Sequence, residues 1–433
     1  MMETEKNMTR RVRHICALCI LGGLCMFLTP VSGHTQGWQA HIASYPYSPD
    51  SLFAIDKSKQ TLFYFRMKQD KSGLDLIRKI PCATGKIKGD KFREGDLKTP
   101  EGIYFIQGKK DSGLDYSLYG DLAFTLNFPN PVDQVNGKTG HGIWMHGRGK
   151  PIGPFETKGC VALNNEDIHQ IRSGVHLKST PVVISDGFSW NPDSIETAGA
   201  NNHLIELTRA WADAWDHTSP AFFSFYDQRY FSKKFKRHKQ KLFKKYAWID
   251  LFIDQIRCIK GPDYFVTYFK QLYEAPHFFS EGIKRLYWKK NSQGAWKIIG
   301  TEWFGTPIDL QEKYQQKVAK NIEVWLEKWR SAWNNSDIDV YATYYSKNAR
   351  QGNLKGRRAI CNHKRLLQKR GKAPEKIVFG VPTIVSDGHT VTVIFTQDYR
   401  SQTGYSDKGI KKIKLVRIDD NSWNIVSEEW STL

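Results

Sequence analysis

The sequence predicts a mixed fold in which a β-rich domain is followed by two α+β domains. Short apolar runs separated by polar turns fill residues 45–186, as in a sheet-rich domain. Two later segments, residues 203–303 and 318–433, each begin with a helical pattern and end with long strand patterns. The chain has 433 residues, which is too long for one hydrophobic core.

The N-terminal residues 1–33 are predicted to be a signal peptide. Basic residues precede an apolar run from Ile15 to Leu28, and small residues follow up to Gly33. This order of segments is typical of export signals. Because the apolar run is shorter than the roughly 20 residues that a spanning helix needs, we expect cleavage rather than a membrane anchor. The mature protein is expected in the periplasm or cell envelope, with no stable membrane span.

Charge and cysteine content restrict the partners. The chain carries a formal net charge of +20, and a strongly basic protein usually meets a polyanion. Since an exported protein rarely meets nucleic acid, we expect anionic cell-envelope polymers instead. The basic segment 229–245 is either a contact for such polymers or a solvated helix face. Four cysteines outside the signal segment are too few for a disulfide scaffold, and one or two bridges remain an alternative to free thiols: Cys82, Cys160, Cys258 and Cys361.

The elements of the β-rich domain follow one another along residues 45–186. Residues 51–65 predict two strands around a polar turn, and residues 98–106 predict a turn and another strand. Residues 161–174 predict a strand end and a short helix that stops at glycine. A last strand is predicted within residues 176–185. Much strand with little helix favours a sandwich or barrel.

Two breaks divide the rest of the chain, and the segments around the second one repeat each other. Residues 187–202 are rich in Gly, Asn and Ser and are predicted to be a linker, and residues 304–317 interrupt the pattern again. The closing strands, at 294–303 and 421–430, share a W-x6-W spacing. FKQLY and GIKR in the first segment match FTQDY and GIKK in the second, in the same order. The repeat predicts a duplication.

Helices followed by a sheet of long strands predict an α+β plan for both repeats. This pattern resembles the NTF2-like family, in which a curved antiparallel sheet and packed helices form a cone. The resemblance implies two NTF2-like domains. Tryptophans at helical spacing open both repeats, and we expect them in the cores rather than on ligand surfaces: Trp211, Trp215, Trp329 and Trp333.

The segment HGIWMHGRGKPIGPFETKGC, residues 141–160, holds the groups that cysteine chemistry requires. A cysteine nucleophile needs a base, a group that orients the base, and main-chain N–H donors for an oxyanion. Cys160 follows Gly159, which allows the backbone to approach a substrate closely. His146 can return to the thiol on a neighbouring strand. From spacing alone, Cys160 can be a nucleophile, half of a disulfide or a buried thiol.

The order of His146 and Gly147 followed by TKGCV, residues 157–161, resembles the HG…[ST]-x-G-C-[IV] signature of the YkuD-type L,D-transpeptidases. Upstream, CATGK (82–86) and KTPEG (98–102) resemble that family in the same order. The resemblance implies an enzyme acting on peptidoglycan stem peptides, at the bond between the L-centre of a diamino acid and D-alanine. It implies no metal and no cofactor.

The resemblance also implies roles for individual residues. Cys160 attacks the carbonyl carbon and expels D-alanine to leave a thioester, while His146 acts first as general base and then as general acid. The main-chain carbonyl of Gly147 orients the imidazole, and the amides of Gly159 and Cys160 hold the oxyanion. Three further residues are expected beside the substrate: Thr157, Lys158 and Trp144.

For several positions the sequence is compatible with more than one role. Trp144 can instead pack in the core, and Lys158 can be a solvated surface lysine. His141 lies five residues before His146, an offset that places it on the opposite face of a strand, so we expect a pocket wall or surface position. Ala162 stands where many family members carry an arginine associated with holding the substrate, which leaves substrate placement open.

The product of the reaction also remains open. An amine from a second stem peptide gives transpeptidation, whereas water gives carboxypeptidation. A YkuD-type domain followed by an NTF2-like domain resembles the cell-shape L,D-carboxypeptidases of curved and helical bacteria, although two NTF2-like units are predicted here. A third alternative is a non-catalytic envelope-binding protein.

Overall fold

The structure is a computed structural model that describes residues 37–191, 196–386, 390–419 and 422–433. The predicted signal peptide lies outside these residues. Within them, no helix combines the length and the apolar character needed to cross a membrane.

The N-terminal domain is built on one eight-stranded sheet. Its elements in chain order are β1 (Gln39–Ala43), β2 (Ser51–Asp56), β3 (Thr61–Met67), β4 (Leu74–Pro81), β5 (Gly102–Lys110), α1 (Tyr116–Tyr119), β6 (Ala123–Leu126), α2 (Pro131–Val135), β7 (Trp144–His146), β8 (Val161–Ala162), α3 (Asn165–Ile171), β9 (Pro181–Ser185) and β10 (Gly187–Asn191). The strand order across the sheet is β4-β3-β2-β9-β5-β6-β7-β8. The β-rich prediction is confirmed.

Strand β2 shows how this sheet is buried on both faces. Every residue of β2 is buried, and successive side chains of a strand point to opposite faces. Phe53 and Ile55 join the core on one face, whereas Leu52 and Ala54 join the core on the other. The second of these cores also contains tyrosines from the following domain, such as Tyr287. The two domains therefore share a hydrophobic core.

The structure differs from the predicted linker at residues 187–202. Strand β10 pairs in parallel with β1, from Gln39 opposite Gly187 to Ala43 opposite Asn191. Phe188 packs on Phe63, with ring centroids 4.7 Å apart. Burial of this ring favours a strand although turn-forming residues surround it, and the next helix already begins at residue 196.

The two following domains have the predicted order of helices and then strands. The first contains α4 (Glu196–Asp216), a 3₁₀ turn (Pro220–Phe225), α5 (Lys233–Lys245), β11 (Asp250–Lys260), β12 (Phe265–Ala275), β13 (Phe278–Lys290) and β14 (Trp296–Gly305). The second contains α6 (Gln311–Asn334), α7 (Ile338–Thr343), β15 (Tyr345–Gln351), β16 (Leu354–Lys355), α8 (Arg357–Lys369), β17 (Pro374–Phe379), β18 (Thr383–Ser386), β19 (Thr390–Ser401), β20 (Ser406–Arg417) and β21 (Trp423–Thr432). Since α6 begins at residue 311, the second predicted break is a loop of only residues 306–310.

The sheets of the two domains repeat each other in detail. The first has the order β11-β12-β13-β14, and the second has β17-β19-β20-β21 followed by β15 and β16. Each carries an irregularity at the same place in its last hairpin, after Tyr287 in the first and after Lys414 in the second. A parallel bridge from Tyr226 to Ile298 corresponds to the pair of Tyr345 with Ile425. The register of both sheets therefore supports the predicted duplication.

The tryptophans that open the repeats lie in the cores, as predicted. Trp211 and Trp215 are 0% and 7% exposed, and Trp329 and Trp333 are 2% and 7% exposed. Trp211 packs edge-to-face on Trp215, with ring centroids 5.2 Å apart.

Candidate active site

Strands β7 and β8 pair in parallel, which places the candidate base and the candidate nucleophile on neighbouring segments of the sheet. His146 lies opposite Ala162, and Met145 lies opposite Val161. Cys160 immediately precedes β8, so the register brings it next to Trp144. Paired residues of parallel strands face the same side, and positions two apart share a face. His146 and Cys160 therefore belong to one face of the sheet.

The His146 imidazole is held in one tautomer. Its Nδ1 atom lies 2.6 Å from the main-chain oxygen of Gly147. A carbonyl oxygen only accepts, so Nδ1 carries the proton and Nε2 keeps its lone pair. The Tyr119 ring packs edge-to-face against the imidazole, with centroids 5.1 Å apart. Burial lowers the pKa of His146, and the positive charge of Arg148 lowers it further. The side chain is thus a neutral base at neutral pH.

The Cys160 thiol is half-buried and close to main-chain groups. Its Sγ atom lies 3.6 Å from the oxygen of Gly142. Burial raises the pKa of Cys160, while a hydrogen bond from the main chain of Trp144 and the charge of Lys91 lower it in part. The net effect favours a neutral thiol, which has to lose its proton to a base before it attacks.

Gly159 is required by the shape of the loop that precedes the thiol. Its φ is +132°, and a Cβ atom there would lie 2.8 Å from the main-chain oxygen of Lys98. Its N–H donates to Oγ1 of Thr157 at 3.1 Å, and that hydroxyl donates to the oxygen of Cys160 at 2.7 Å. The structure thus differs from the expected oxyanion role of Gly159, because its amide is already bonded within the loop.

The amide of Cys160 is the better oxyanion donor. Within the described part of the chain, no hydrogen-bond acceptor lies on the Cys160 N–H. A main-chain donor beside the nucleophile that has no acceptor is the group that an oxyanion hole needs.

The upstream CATGK and KTPEG segments hold this loop in place. Ala83 forms an isolated bridge with Ala162, and Gly85 forms one with Thr157. The N–H of Gly85 donates to Oγ1 of Thr99 at 2.8 Å. These contacts explain why the motifs occur together although they are far apart in the sequence.

Of the other predicted site residues, some make structural contacts and others lie at the protein surface. Thr157 is buried and bonds within the loop, so its hydroxyl does not face a substrate. Lys158 is exposed, whereas Trp144 is half-buried against Tyr119, with ring centroids 5.3 Å apart. His141 lies outside β7 with its side chain 82% exposed, which agrees with the expected surface position.

Residue 162, where the family resemblance led us to expect an arginine, is not accessible to solvent. Ala162 is fully buried between His146 and Ala83. Other elements supply the charges that act on the site: Arg148 acts on His146 and forms an ion pair with Glu156, and Lys91 acts on Cys160 and forms one with Asp96 at 2.8 Å.

The four cysteines outside the signal segment are all free thiols. Cys82, Cys258 and Cys361 are buried, and only Cys160 is partly exposed. Of the two alternatives for these cysteines, the structure therefore shows free thiols and no disulfide bridge among them.

Sequence reasoning missed three residues of the site. Tyr119 packs on the base, Lys91 acts on the thiol through its charge, and Gln60 accepts hydrogen bonds from the amides of Thr84 and Phe155, both at 2.9 Å. None belongs to a recognisable motif. Each is brought to the site by tertiary contacts across more than 20 positions of sequence.

Comparisons with known proteins follow the same division of the chain. Residues 50–184 match the YkuD family, described as the L,D-transpeptidase catalytic domain. Residues 203–302 and 321–429 both match the Cds6 C-terminal NTF2-like domain.

Individual relatives cover part of the chain. YafK of Escherichia coli strain K12, an L,D-transpeptidase by name, is 32% identical over 172 residues, or 39% of this chain. The chain spans 63% of the length of that relative. Bd1075 of Bdellovibrio bacteriovorus is 28% identical, with a TM-score of 0.50 over 61% of this chain and 98% of its own. The helical cell shape determining protein Pgp2 of Campylobacter jejuni is 27% identical, with a TM-score of 0.47 over 59% of this chain and 92% of its own.

Proposed function

The chain contains a YkuD L,D-transpeptidase catalytic domain followed by two NTF2-like domains, and we propose that it is an exported peptidoglycan-remodelling enzyme that uses Cys160 as its nucleophile. The observation that carries the proposal is the joint placement of the half-buried Cys160 thiol and the tautomer-fixed His146 on one face of the sheet. The substrate is the stem tetrapeptide, at the bond between the L-centre of the diamino acid and D-alanine.

In the first half-reaction, Nε2 of His146 removes the thiol proton as Sγ of Cys160 attacks the carbonyl carbon. The carbonyl oxygen becomes an oxyanion that accepts a hydrogen bond from the Cys160 N–H. When the C–N bond breaks, the imidazolium returns its proton to the departing amine of D-alanine. The products are free D-alanine and a thioester on Cys160.

In the second half-reaction, neutral His146 activates the acceptor. An amine of a second stem peptide attacks the thioester, loses its proton to Nε2 and expels the thiolate, which forms a crosslink. We propose this transfer as the main reaction. Water in place of the amine gives a tripeptide, and this L,D-carboxypeptidase reaction is the alternative. We keep the carboxypeptidase alternative because residue 162 is alanine. The arginine that is expected at this position, and that would help to hold a second stem peptide, is therefore missing.

Product analysis tests both reactions. The full chain is incubated with purified tetrapeptide muropeptides, and the products are separated and weighed by mass spectrometry. Crosslinked dimers with D-alanine release support transfer, and monomeric tripeptides alone overturn it in favour of the carboxypeptidase. Loss of both products in Cys160→Ala supports the cysteine mechanism. A wild-type chain that releases no D-alanine would leave only the non-catalytic envelope-binding alternative.

We also propose that helix α5 contacts anionic envelope polymers. Seven of its eight Lys/Arg residues are exposed, and it contains no acidic residue. Among the described residues, none of these seven forms an ion pair. Because salt screens exposed charges, binding to purified sacculi should weaken steeply between low and physiological ionic strength. Binding that does not change with salt contradicts this contact.

A further inference from the structure

The second NTF2-like domain contains an open cavity of about 520 Å³. It lies inside the cone, between helix α8 and the strands β19, β20 and β21. Its volume falls within the roughly 300–1,000 Å³ that is typical of ligand pockets. Trp333, Tyr399 and Trp430 contribute aromatic surface, and Gln351 and Gln397 contribute amides.

In this cavity Lys364 and Lys411 both act on one buried carboxylate, that of Glu428, while the half-buried Asp407 and the exposed Glu429 also line the cavity. Lys411 pairs with Oε1 of Glu428 at 2.5 Å. The other carboxylate oxygen accepts hydrogen bonds from Tyr345 at 2.5 Å and from Gln351 at 2.7 Å. Both oxygens of Glu428 are therefore engaged by these neighbours, and its charge is shared between Lys411 and Lys364.

Lys364 is a lysine of this cavity that, in the described part of the chain, forms no ion pair of its own. Its Nζ atom lies over the Trp333 ring, 4.5 Å from the centroid. Within the described residues, its ammonium has no ion pair and no hydrogen bond. Burial is the main cause that lowers the pKa of Lys364, to about 8. The Glu428 carboxylate is the anion that acts on Lys364 as well as on Lys411, so two lysines share one carboxylate and one positive charge is left over. An excess of partly buried positive charge is unfavourable unless an anion joins it.

The equivalent part of the first NTF2-like domain is closed. There Lys239 lies over Trp215, 3.6 Å from the ring centroid. Phe222 packs on Trp215 and on Phe243 of α5, with ring centroids 5.5 Å and 5.6 Å apart. Rings thus fill the place that is open in the second domain. The duplicated cones share a lysine over a tryptophan but differ in whether a ligand has room.

We propose that the cone of the second NTF2-like domain binds an organic anion with a ring-shaped apolar body, whose charged group pairs with Lys364. The aromatic wall takes the ring, and the amide of Gln397 takes a polar substituent. This inference does not depend on the chemistry at Cys160.

A pair of fluorescent probes tests the proposal on the full chain. Anilinonaphthalene sulfonate carries an anionic group on an aromatic body, whereas N-phenylnaphthylamine has the same rings without the charge. We expect saturable binding of the sulfonate at one site per chain and binding of the neutral probe weaker by about tenfold or more, since ion-paired hydrogen bonds are stronger than neutral ones. Absence of saturable sulfonate binding overturns the proposal.

Three variants locate the site. Lys364→Met should weaken sulfonate binding to the level of the neutral probe, and Lys364→Arg should restore most of it. Lys239→Met, the matched change in the first domain, should leave binding unchanged. Thermal unfolding of each variant confirms that the cone is intact. Equal binding by wild type and a folded Lys364→Met variant, or loss of binding in Lys239→Met instead, contradicts the assignment.

Discussion

Nδ1 of His146 lies 2.6 Å from the main-chain oxygen of Gly147, so the base is oriented by a carbonyl that no side-chain substitution removes. A carboxylate in that position would raise the basicity of the imidazole and stabilise its protonated form. A neutral carbonyl does so less strongly, while burial and Arg148 act in the opposite direction. The directions of the two pKa shifts therefore favour a neutral base and a neutral thiol over a preformed ion pair.

Substitution of His146 tests its role as the base. We expect His146→Gln to lower kcat/KM by about 10²–10⁴-fold, the usual contribution of a general base. D-alanine release from tetrapeptides measures the change. His141→Gln is the matched control, because its side chain is 82% exposed and should leave the rate unaltered. Equal losses in both variants would contradict the distinction between the two histidines.

The pH profile should show an acid limb below the ordinary histidine range. Burial lowers the pKa of His146, so the neutral base persists to lower pH than a free imidazole. The rate should rise through a midpoint below 6.5, the ordinary value, as pH increases. Arg148→Gln should move this midpoint upward, since the positive charge beside the imidazole is lost. An acid midpoint above 6.5 in the wild type would show that a different group or environment controls the rate.

The hydroxyl of Thr157 is predicted to position the nucleophile without touching substrate. It accepts from Gly159 and donates to the oxygen of Cys160. Thr157→Val should lower kcat by about tenfold to a hundredfold with little change in KM, because small misplacement of a reacting group is costly. Thr157→Ser, which keeps the hydroxyl, should recover most of the rate. A larger effect on KM than on kcat would instead indicate substrate contact.

Gly159→Ala should be far more harmful than alanine at an unconstrained glycine. The new Cβ would lie 2.8 Å from the oxygen of Lys98, at a φ of +132°. We expect a loss of about 1–3 kcal/mol in the free energy of unfolding and a large loss of activity. Gly113→Ala is the control, because Gly113 also has positive φ but no atom within 4 Å of a Cβ. Denaturant titration of both variants separates backbone strain from steric overlap.

Arg285 is predicted to hold the catalytic and first NTF2-like domains together. It is fully buried, its guanidinium lies 3.9 Å from the centroid of the Phe105 ring, and it pairs with Glu302 at 2.7 Å. Arg285→Ala should lower the free energy of unfolding by about 3 kcal/mol, since it leaves the Glu302 carboxylate, whose side chain is only 17% exposed, without its cation. Arg400→Ala removes an ion pair whose partners are both more than half exposed, and it should cost at most about 1 kcal/mol. Similar costs for both would argue against this buried contact.

Local sequence was sufficient for much of the architecture. The two short apolar runs within residues 51–65 correspond to strands β2 and β3, because a strand that is buried on both faces is apolar at nearly every position. The tryptophan pairs at spacing four likewise record the buried face of a helix. The TKGCV motif pointed to the family that the comparisons identify, while the roles of individual site residues remain predictions.

The prediction from composition was wrong where tertiary packing outweighed the local preference for a loop. Residues 187–191 looked like part of a linker, yet they form a strand because Phe188 and Trp190 find partners on β3. Prediction from local sequence cannot detect these packing partners, since Phe63 and Phe65 are more than 120 positions away in sequence.

The sequence by itself was enough to predict the order of domains, their family resemblances and the candidate nucleophile, because motif spacing and hydrophobic periodicity are local properties. Only the tertiary structure decided that the amide of Gly159 is occupied, that Tyr119 and Lys91 act on the site, and that one of two similar cones is open. Those features depend on which residues that are distant in the sequence come into contact in the fold. Close packing and charge pairing, rather than the residue types alone, set them.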